Sequence, residues 1–210
     1  MSKAWIFDFD GTLVNSEAAI TQCFEIITKK LAPHRLDVAK NILIGPPLRQ
    51  TVAEILGDPE HPLIDEFVSA FIQMHDDDVL THTTPYPTAH ETLTSLYQRG
   101  DKMAIATNKR LAPTIKILRH LNWDPFFTSV ECSDSEAVMR DKHQMIKTIV
   151  EKDNNFKGAY FVGDTVGDGL SACSSNLPFI KANYGYGQVQ DWSGITVFQT
   201  INTLYELLQL

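Results

Sequence analysis

Ala4-Trp5-Ile6-Phe7-Asp8-Phe9-Asp10-Gly11-Thr12 runs from four apolar residues into two carboxylates and a glycine turn. The apolar part reads as a strand buried on both faces. Side chains two apart on a strand share a face, so Asp8 and Asp10 are expected to converge at its end. Gly11 then lets the backbone turn sharply. Adjacent carboxylates repel unless they share a proton or flank a cation, and either answer is a catalytic device. The plainer alternative is a strand end with an ordinary Asp-Gly turn.

Two further strand ends carry polar groups of matching kind. Gly158-Ala159-Tyr160-Phe161-Val162-Gly163-Asp164 ends an apolar run in Gly-Asp, with Asp168 four residues on, and can bring more acid to the same place. Met103-Ala104-Ile105-Ala106-Thr107-Asn108-Lys109 ends in a hydroxyl and an amide before a helical pattern, groups that hold phosphate oxygens at such positions. Lys142, early in a predicted helix, offers a cation. Strand-like runs at 4–8, 102–106, 128–132, 158–162 and 177–181 alternate with helical patterns at about 88–99, 110–120, 141–153 and 166–174. This alternation predicts an α/β fold, a parallel sheet covered on both faces, with ligands beyond the carboxyl ends of the strands. Asp8, Thr107 and Asp164 all fall there.

Residues 15–84 break the pattern. Helical segments near 16–31, 36–43, 47–56 and 62–79 follow one another without a convincing strand, which predicts an inserted helical unit. Asn15-Ser16 on one side and His82-Thr83-Thr84-Pro85-Tyr86-Pro87 on the other mark its polar, proline-rich edges.

In this order and spacing the elements resemble the haloacid dehalogenase-like superfamily, from Met1 to the Tyr184-Gly185-Tyr186-Gly187 loop. Within it the chain is similar to the phosphoglycolate phosphatase group through Asp8 to Thr12, Ile44-Gly45-Pro46-Pro47-Leu48, Ala106 to Lys109 and Gly163-Asp164-Thr165. The resemblance implies a Rossmann-like three-layer core of residues 1–14 and 85–210, and a mobile α-helical cap of residues 15–84. It further implies that Asp8 is the nucleophile forming an aspartyl-phosphate and that Asp10 is the general acid and base. Mg²⁺ would be held by Asp8, the backbone carbonyl of Asp10 and Asp164, with Asp168 orienting a metal-bound water. Thr107 and Asn108 would bind the transferring phosphoryl group and Lys142 would offset its charge.

Each assignment has a structural alternative. Thr107 and Asn108 suit a helix N-cap. Asp168 suits the first turn of a helix, and Arg140-Asp141-Lys142-His143 lacks the family's Lys-Pro pair, leaving Lys142 as an exposed helix lysine and Lys147 or Lys152 as substitutes. An acid at position 10 is absent from the superfamily's dehalogenases and phosphonate hydrolases, so Asp10 favours phosphate esters. Leu13 to Ala19 lacks the Tyr-His pair of the β-phosphoglucomutase-like enzymes.

Substrate choice is expected in the cap, where Arg49 follows Gly45-Pro46-Pro47 and suits a bidentate pair with a carboxylate such as that of phosphoglycolate. The alternative is a solvent-facing arginine. Glu17 and Lys109 are further rim residues, and His75-Asp76-Asp77-Asp78 reads as a solvated helix end. Phosphoglycolate is the first expected substrate, with nucleoside monophosphates and sugar phosphates behind it. A catalytically silent binding or regulatory protein is the non-enzyme reading.

Composition agrees with a small-molecule partner. The formal charge of −8 without a basic stripe excludes nonspecific nucleic-acid binding. No apolar run nears the ~20 residues that span a bilayer, and Met1-Ser2-Lys3 leaves no room for a leader before the first strand, so a cytoplasmic monomer or homodimer is expected. Cys23, Cys132 and Cys173 form no paired spacing, and the seven histidines are scattered without ligand spacing. Ile201 to Leu210 reads as a closing helix.

Overall fold

Unbroken apolar runs become the centre of the molecule. A computed structural model describes residues 2–136 and 138–210; Met1, where the run read as too short for a leader begins, and Ala137 lie outside the described residues. The chain starts with β1 (Ala4–Phe7) and a short β2 (Val14–Asn15), then passes through α1 (Glu17–Leu31), α2 (Leu36–Lys40), α3 (Leu48–Leu56) and α4 (Ile64–Asp78). A short β3 (Thr84–Pro85) returns it to an alternation of α5 (Ala89–Gln98), β4 (Lys102–Thr107), α6 (Leu111–His120), β5 (Ser129–Cys132) and α7 (Lys142–Lys152). Then follow β6 (Tyr160–Gly163), α8 (Val166–Ser174), β7 (Phe179–Ala182) and β8 (Gln199–Ile201).

Six strands form one sheet in the order β5-β4-β1-β6-β7-β8, and every pairing is parallel. Ile6 lies opposite both Ala104 and Phe161, which fixes β1 between β4 and β6. The chain winds outward from β1 in one direction and then in the other, so the topological switch point, where ligands collect in such sheets, is at the end of β1.

Alternation along β1 separates two cores. Trp5 and Phe7 face Leu93, Leu96, Ile117 and Leu118 of α5 and α6, whereas Ile6 faces Met145, Ile146 and Ile149 of α7. Each such fully buried side chain contributes roughly 1.5–3 kcal/mol. The Trp5 indole donates to Asp101 at 2.8 Å, and the Lys3 amide and Arg99 bond the same carboxylate. Burial pushes the Asp101 carboxyl up, but bonds from Arg99, Lys3 and Trp5 outweigh it and hold it below the usual range.

The helices α1 to α4 have a core of their own, with Phe24, Ile27, Val52, Ile55, Phe67 and Phe71 packed together. The chain enters and leaves this unit side by side: β2 and β3 pair antiparallel, Val14 opposite Pro85 and Asn15 opposite Thr84.

Two features at the end of the chain differ from the sequence expectation. A sixth strand, β8, pairs with β7, and Ile201 belongs to it rather than to a helix. Leu204–Gln209 forms a 3-10 helix started by a Thr203–Glu206 capping box. Leu204 and Leu207 are buried, and a spacing of three puts them on one face in that tighter coil. No helix among the described residues is long and apolar enough to cross a membrane.

Candidate active site

The first acidic pair divides where the chain leaves the sheet. The Asp8 amide still donates to the Val162 carbonyl at 2.8 Å, the last bond continuing the β1 ladder. Beyond it a tight loop forms, in which the amides of Leu13 and Val14 donate to the Phe9 carbonyl and Gly11 adopts φ +84°. The strand rule that predicted convergence therefore stops at Phe7. Asp8 turns toward Asp164 and Asp168, while the Asp10 carboxylate accepts from the Ser16 hydroxyl at 2.6 Å and from Lys109 Nζ at 3.1 Å. Both acids still line one cleft.

Asp8, Asp164 and Asp168 are buried, with one carboxylate oxygen of each within 4.8 Å of the others. One cation answers them: Lys142 Nζ stands 2.8 Å from Asp8 and also pairs with Asp168. Lys142 is 7% exposed, not a solvent-facing helix lysine. The Asp141–Gln144 capping box starts α7 just before it and so sets its position. Burial pushes the Asp8 carboxyl up to about 7 against the pull of Lys142, with Asp168 adding to the rise. Asp164 is raised by burial and by the charges of Asp168 and Asp8. Burial would lower Lys142, but Asp168 and Asp8 outweigh it and raise it. Three acids facing one ammonium, all with hard oxygen donors, fit a divalent cation of the Mg²⁺ or Ca²⁺ type.

Asp168 uses both carboxylate oxygens. One caps α8, accepting from the Thr165 amide at 2.9 Å and its hydroxyl at 2.7 Å, and the other holds Lys142. The helix-start reading and the charge reading of this residue are therefore both present.

Asp164 is held from two sides. Its carboxylate accepts from the Thr12 hydroxyl at 3.0 Å and from the Tyr186 amide at 2.7 Å. The loop that brings Tyr186 also sends the Tyr184 hydroxyl to the Thr12 carbonyl at 2.9 Å, tying the third segment to the first. This closeness explains two glycines. A Cβ at Gly11 or at Gly185 would lie inside van der Waals contact of the Asp164 side chain.

Thr107 and Asn108 do not cap α6. The Leu111 amide at the start of that helix donates instead to Asp134 at 2.7 Å. The Thr107 hydroxyl oxygen accepts from the Lys109 amide at 3.2 Å, which leaves its proton free to donate. The Asn108 side chain reaches across to the Gly45 carbonyl at 2.8 Å. Lys109, expected at the rim, has a side chain only 5% exposed and is the partner of Asp10. No local signal in the sequence marks that pairing.

Above these groups a cleft opens between the sheet and the helical unit. Its far wall is Ile20, Phe24, Ile44, Leu48 and Phe71, with His75 beside them. His75 is 4% exposed and stacks on Phe71, and Asp76 pairs with Arg110, so the expected solvated helix end is turned inward at both residues. Amphipathic spacing carries this: Phe67, Phe71 and His75 recur every four residues on α4.

Arg49 does not line the cleft; its exposed guanidinium pairs with Asp65 at 2.6 Å. Glu17 is exposed, and Lys147 and Lys152 pair with Glu151 and Glu131 away from the acids.

Comparison with known proteins adds independent findings. The family profile described as haloacid dehalogenase-like hydrolase matches residues 5–182. A phosphoglycolate phosphatase of Agrobacterium fabrum is 30% identical over 196 residues, covering 90% of this chain and 84% of that protein. A 5′-nucleotidase of Pseudomonas aeruginosa is 26% identical over 184 residues, covering 87% and 83%. A haloacid dehalogenase-like hydrolase structure from Bacteroides fragilis superposes with a TM-score of 0.86 at 19% identity, covering 99% of this chain and all of that one.

Proposed function

The chain belongs to the haloacid dehalogenase-like hydrolases, and from that membership we propose that it is a Mg²⁺-dependent phosphatase of small phosphate monoesters, working through Asp8. The observation that carries the reading is the buried set of Asp8, Asp164 and Asp168 around Lys142 at the switch point of the sheet.

In this mechanism Asp8 attacks phosphorus. A bond forms between its carboxylate oxygen and phosphorus as the bond to the alcohol oxygen breaks. Asp10 gives its proton to the departing alcohol, then takes one from the water that attacks the aspartyl-phosphate, releasing phosphate and restoring Asp8. Asp8, Asp164 and the backbone carbonyl of Asp10 would hold Mg²⁺, which would supply charge neutralisation for the phosphoryl group. Lys142 opposes the effect of burial and favours the anionic form of Asp8 that attacks. Thr107, through its free hydroxyl proton, and the backbone of Asn108 hold the phosphoryl oxygens. Asp168, engaged at both oxygens, keeps Lys142 and the Asp164 loop in place and would orient a metal-bound water.

Residues 15–84 act as the cap. Their separate core and the paired crossing at β2 and β3 support a unit that moves as one piece and excludes water when closed. Kinship supports phosphoglycolate as the first substrate to test, with nucleoside monophosphates and sugar phosphates as alternatives.

The test is phosphate release from a panel of these esters and acetyl phosphate, with and without Mg²⁺. Mg²⁺-dependent turnover is expected, and Asp8→Asn should reduce it at least about a thousandfold for every substrate. Wild-type rates in Asp8→Asn would remove the nucleophile assignment. No turnover of any ester would favour a silent binding protein.

A further inference from the structure

The wall facing the catalytic acids carries its own message about the alcohol half of the substrate. Of the cations that line the cleft, Lys109 is paired with Asp10 and Arg110 with Asp76, and Arg49 lies outside it. A substrate carboxylate would find no free cationic partner there among the described residues. A sugar, with hydroxyls on every side, would meet the apolar side chains of Ile20, Ile44 and Leu48.

A ladder of flat rings is what the wall does present. Phe24 and Phe71 have ring centroids 4.7 Å apart, and His75 lies 5.3 Å beyond Phe71, nearly parallel at 13°. The His75 ring carries an unused polar atom, since Nε2 is buried without a hydrogen-bond partner. Its Nδ1 faces the Asp76 carboxylate at 3.6 Å, an orientation that favours the proton on Nδ1 and Nε2 as an acceptor. Burial, together with the charge of Lys109, holds the ring neutral. A buried acceptor without a partner is costly, so one lining a binding cleft points to a donor on the ligand.

We propose that the wall receives a nucleobase, that His75 accepts a hydrogen bond from its amino or ring N–H group, and that the substrates are therefore nucleoside monophosphates rather than phosphoglycolate. The inference rests on the phosphatase reading above and goes further by naming the leaving group. A base has a flat face for the ring ladder, on which it can stack. It also has donors on its edge for Nε2. The cleft runs without a break from Asp8, Asp10 and Thr107 to these rings, so one molecule can reach both.

The experiment compares kcat/KM for nucleoside 5′-monophosphates, ribose 5-phosphate and phosphoglycolate on the wild-type protein. Acetyl phosphate reports the chemistry alone. The nucleotides should lead by at least about tenfold. A free nucleoside should inhibit competitively where glycolate does not, a readout that needs no variant. His75→Phe keeps the ring stack and removes the acceptor, so the preference for a base with an amino group over ribose 5-phosphate should fall about tenfold through KM. Phosphoglycolate turned over as well as the nucleotides, or an equal loss on all esters in His75→Phe, would overturn the proposal. Acetyl phosphate turnover without nucleotide preference sinks this inference alone; no turnover of anything sinks the phosphatase reading with it.

Discussion

Lys142 is the residue on which the site's electrostatics turn. It stands between Asp8 and Asp168 in a buried setting, and without it Asp8 would be pushed further toward the neutral form that cannot attack phosphorus. His75 shows the opposite logic, because burial and the charge of Lys109 hold it at about 4 against an ordinary 6.5. A group whose folded pKa is depressed contributes stability above its unfolded pKa and loses it as pH falls through the folded value. Between about pH 6.5 and 4 the wild-type protein should therefore lose roughly 2–3 kcal/mol to this residue alone. Denaturant unfolding of wild type and His75→Phe at both pH values measures it, and the variant should lack that increment. Equal pH dependence in both would mean that His75 is not held neutral by the fold. Lys109 and His75 also mark the limit of reading residues from sequence. Asp8 and Asp164 stand out because the apolar run before each is local, whereas Lys109, the partner of Asp10, comes from a segment far away along the chain.

Elements decide how those residues meet. The loop carrying Tyr184 to Gly187 locks Asp164 against the first motif, through the Tyr186 amide at 2.7 Å and the Tyr184 hydroxyl at 2.9 Å. A Cβ at Gly185 would enter the space of both Asp164 and the Gly11 carbonyl, and backbone cannot yield as a flexible side chain does. Gly185→Ala should cost about 1–3 kcal/mol in stability and, by displacing Asp164, about a hundredfold in kcat. Thermal unfolding and steady-state kinetics check both, and near-wild-type values for both would show the loop to be slack. Most elements are legible in the sequence because period and length agree. β4, α6, α7 and α8 fall within about two residues of their patterns, the ordinary fraying of element ends. β8 is not legible. Its residues Gln199, Thr200 and Ile201 are short and mostly polar, and only an edge position beside β7 makes them a strand. The parting of Asp8 and Asp10 was equally hidden, because β1 ends at Phe7 and strand alternation has no hold on the loop that follows.

At the scale of the whole molecule, a parallel sheet gathers the ends of β1, β4 and β6 at one edge while an inserted helical unit covers them. The arrangement concentrates negative charge at the base of the cleft, in a chain already at −8, and it does so without enough protein cation to balance it. A divalent ion binding the folded state should raise stability by about 2.7 kcal/mol at a hundred times its Kd. Excess Mg²⁺ should accordingly raise Tm, chelator should reverse the rise, and Asp164→Asn should abolish it. A Tm indifferent to Mg²⁺ would speak against a metal held by these acids. The central claim is the covalent role of Asp8, and the most direct measurement is rapid acid quench of turnover followed by mass spectrometry of the peptide containing that residue. The account predicts one phosphoryl group on Asp8, formed within a single turnover and absent from Asp8→Asn. Full phosphate release with no phosphorylated peptide at any time would contradict it and assign the attack on phosphorus to water.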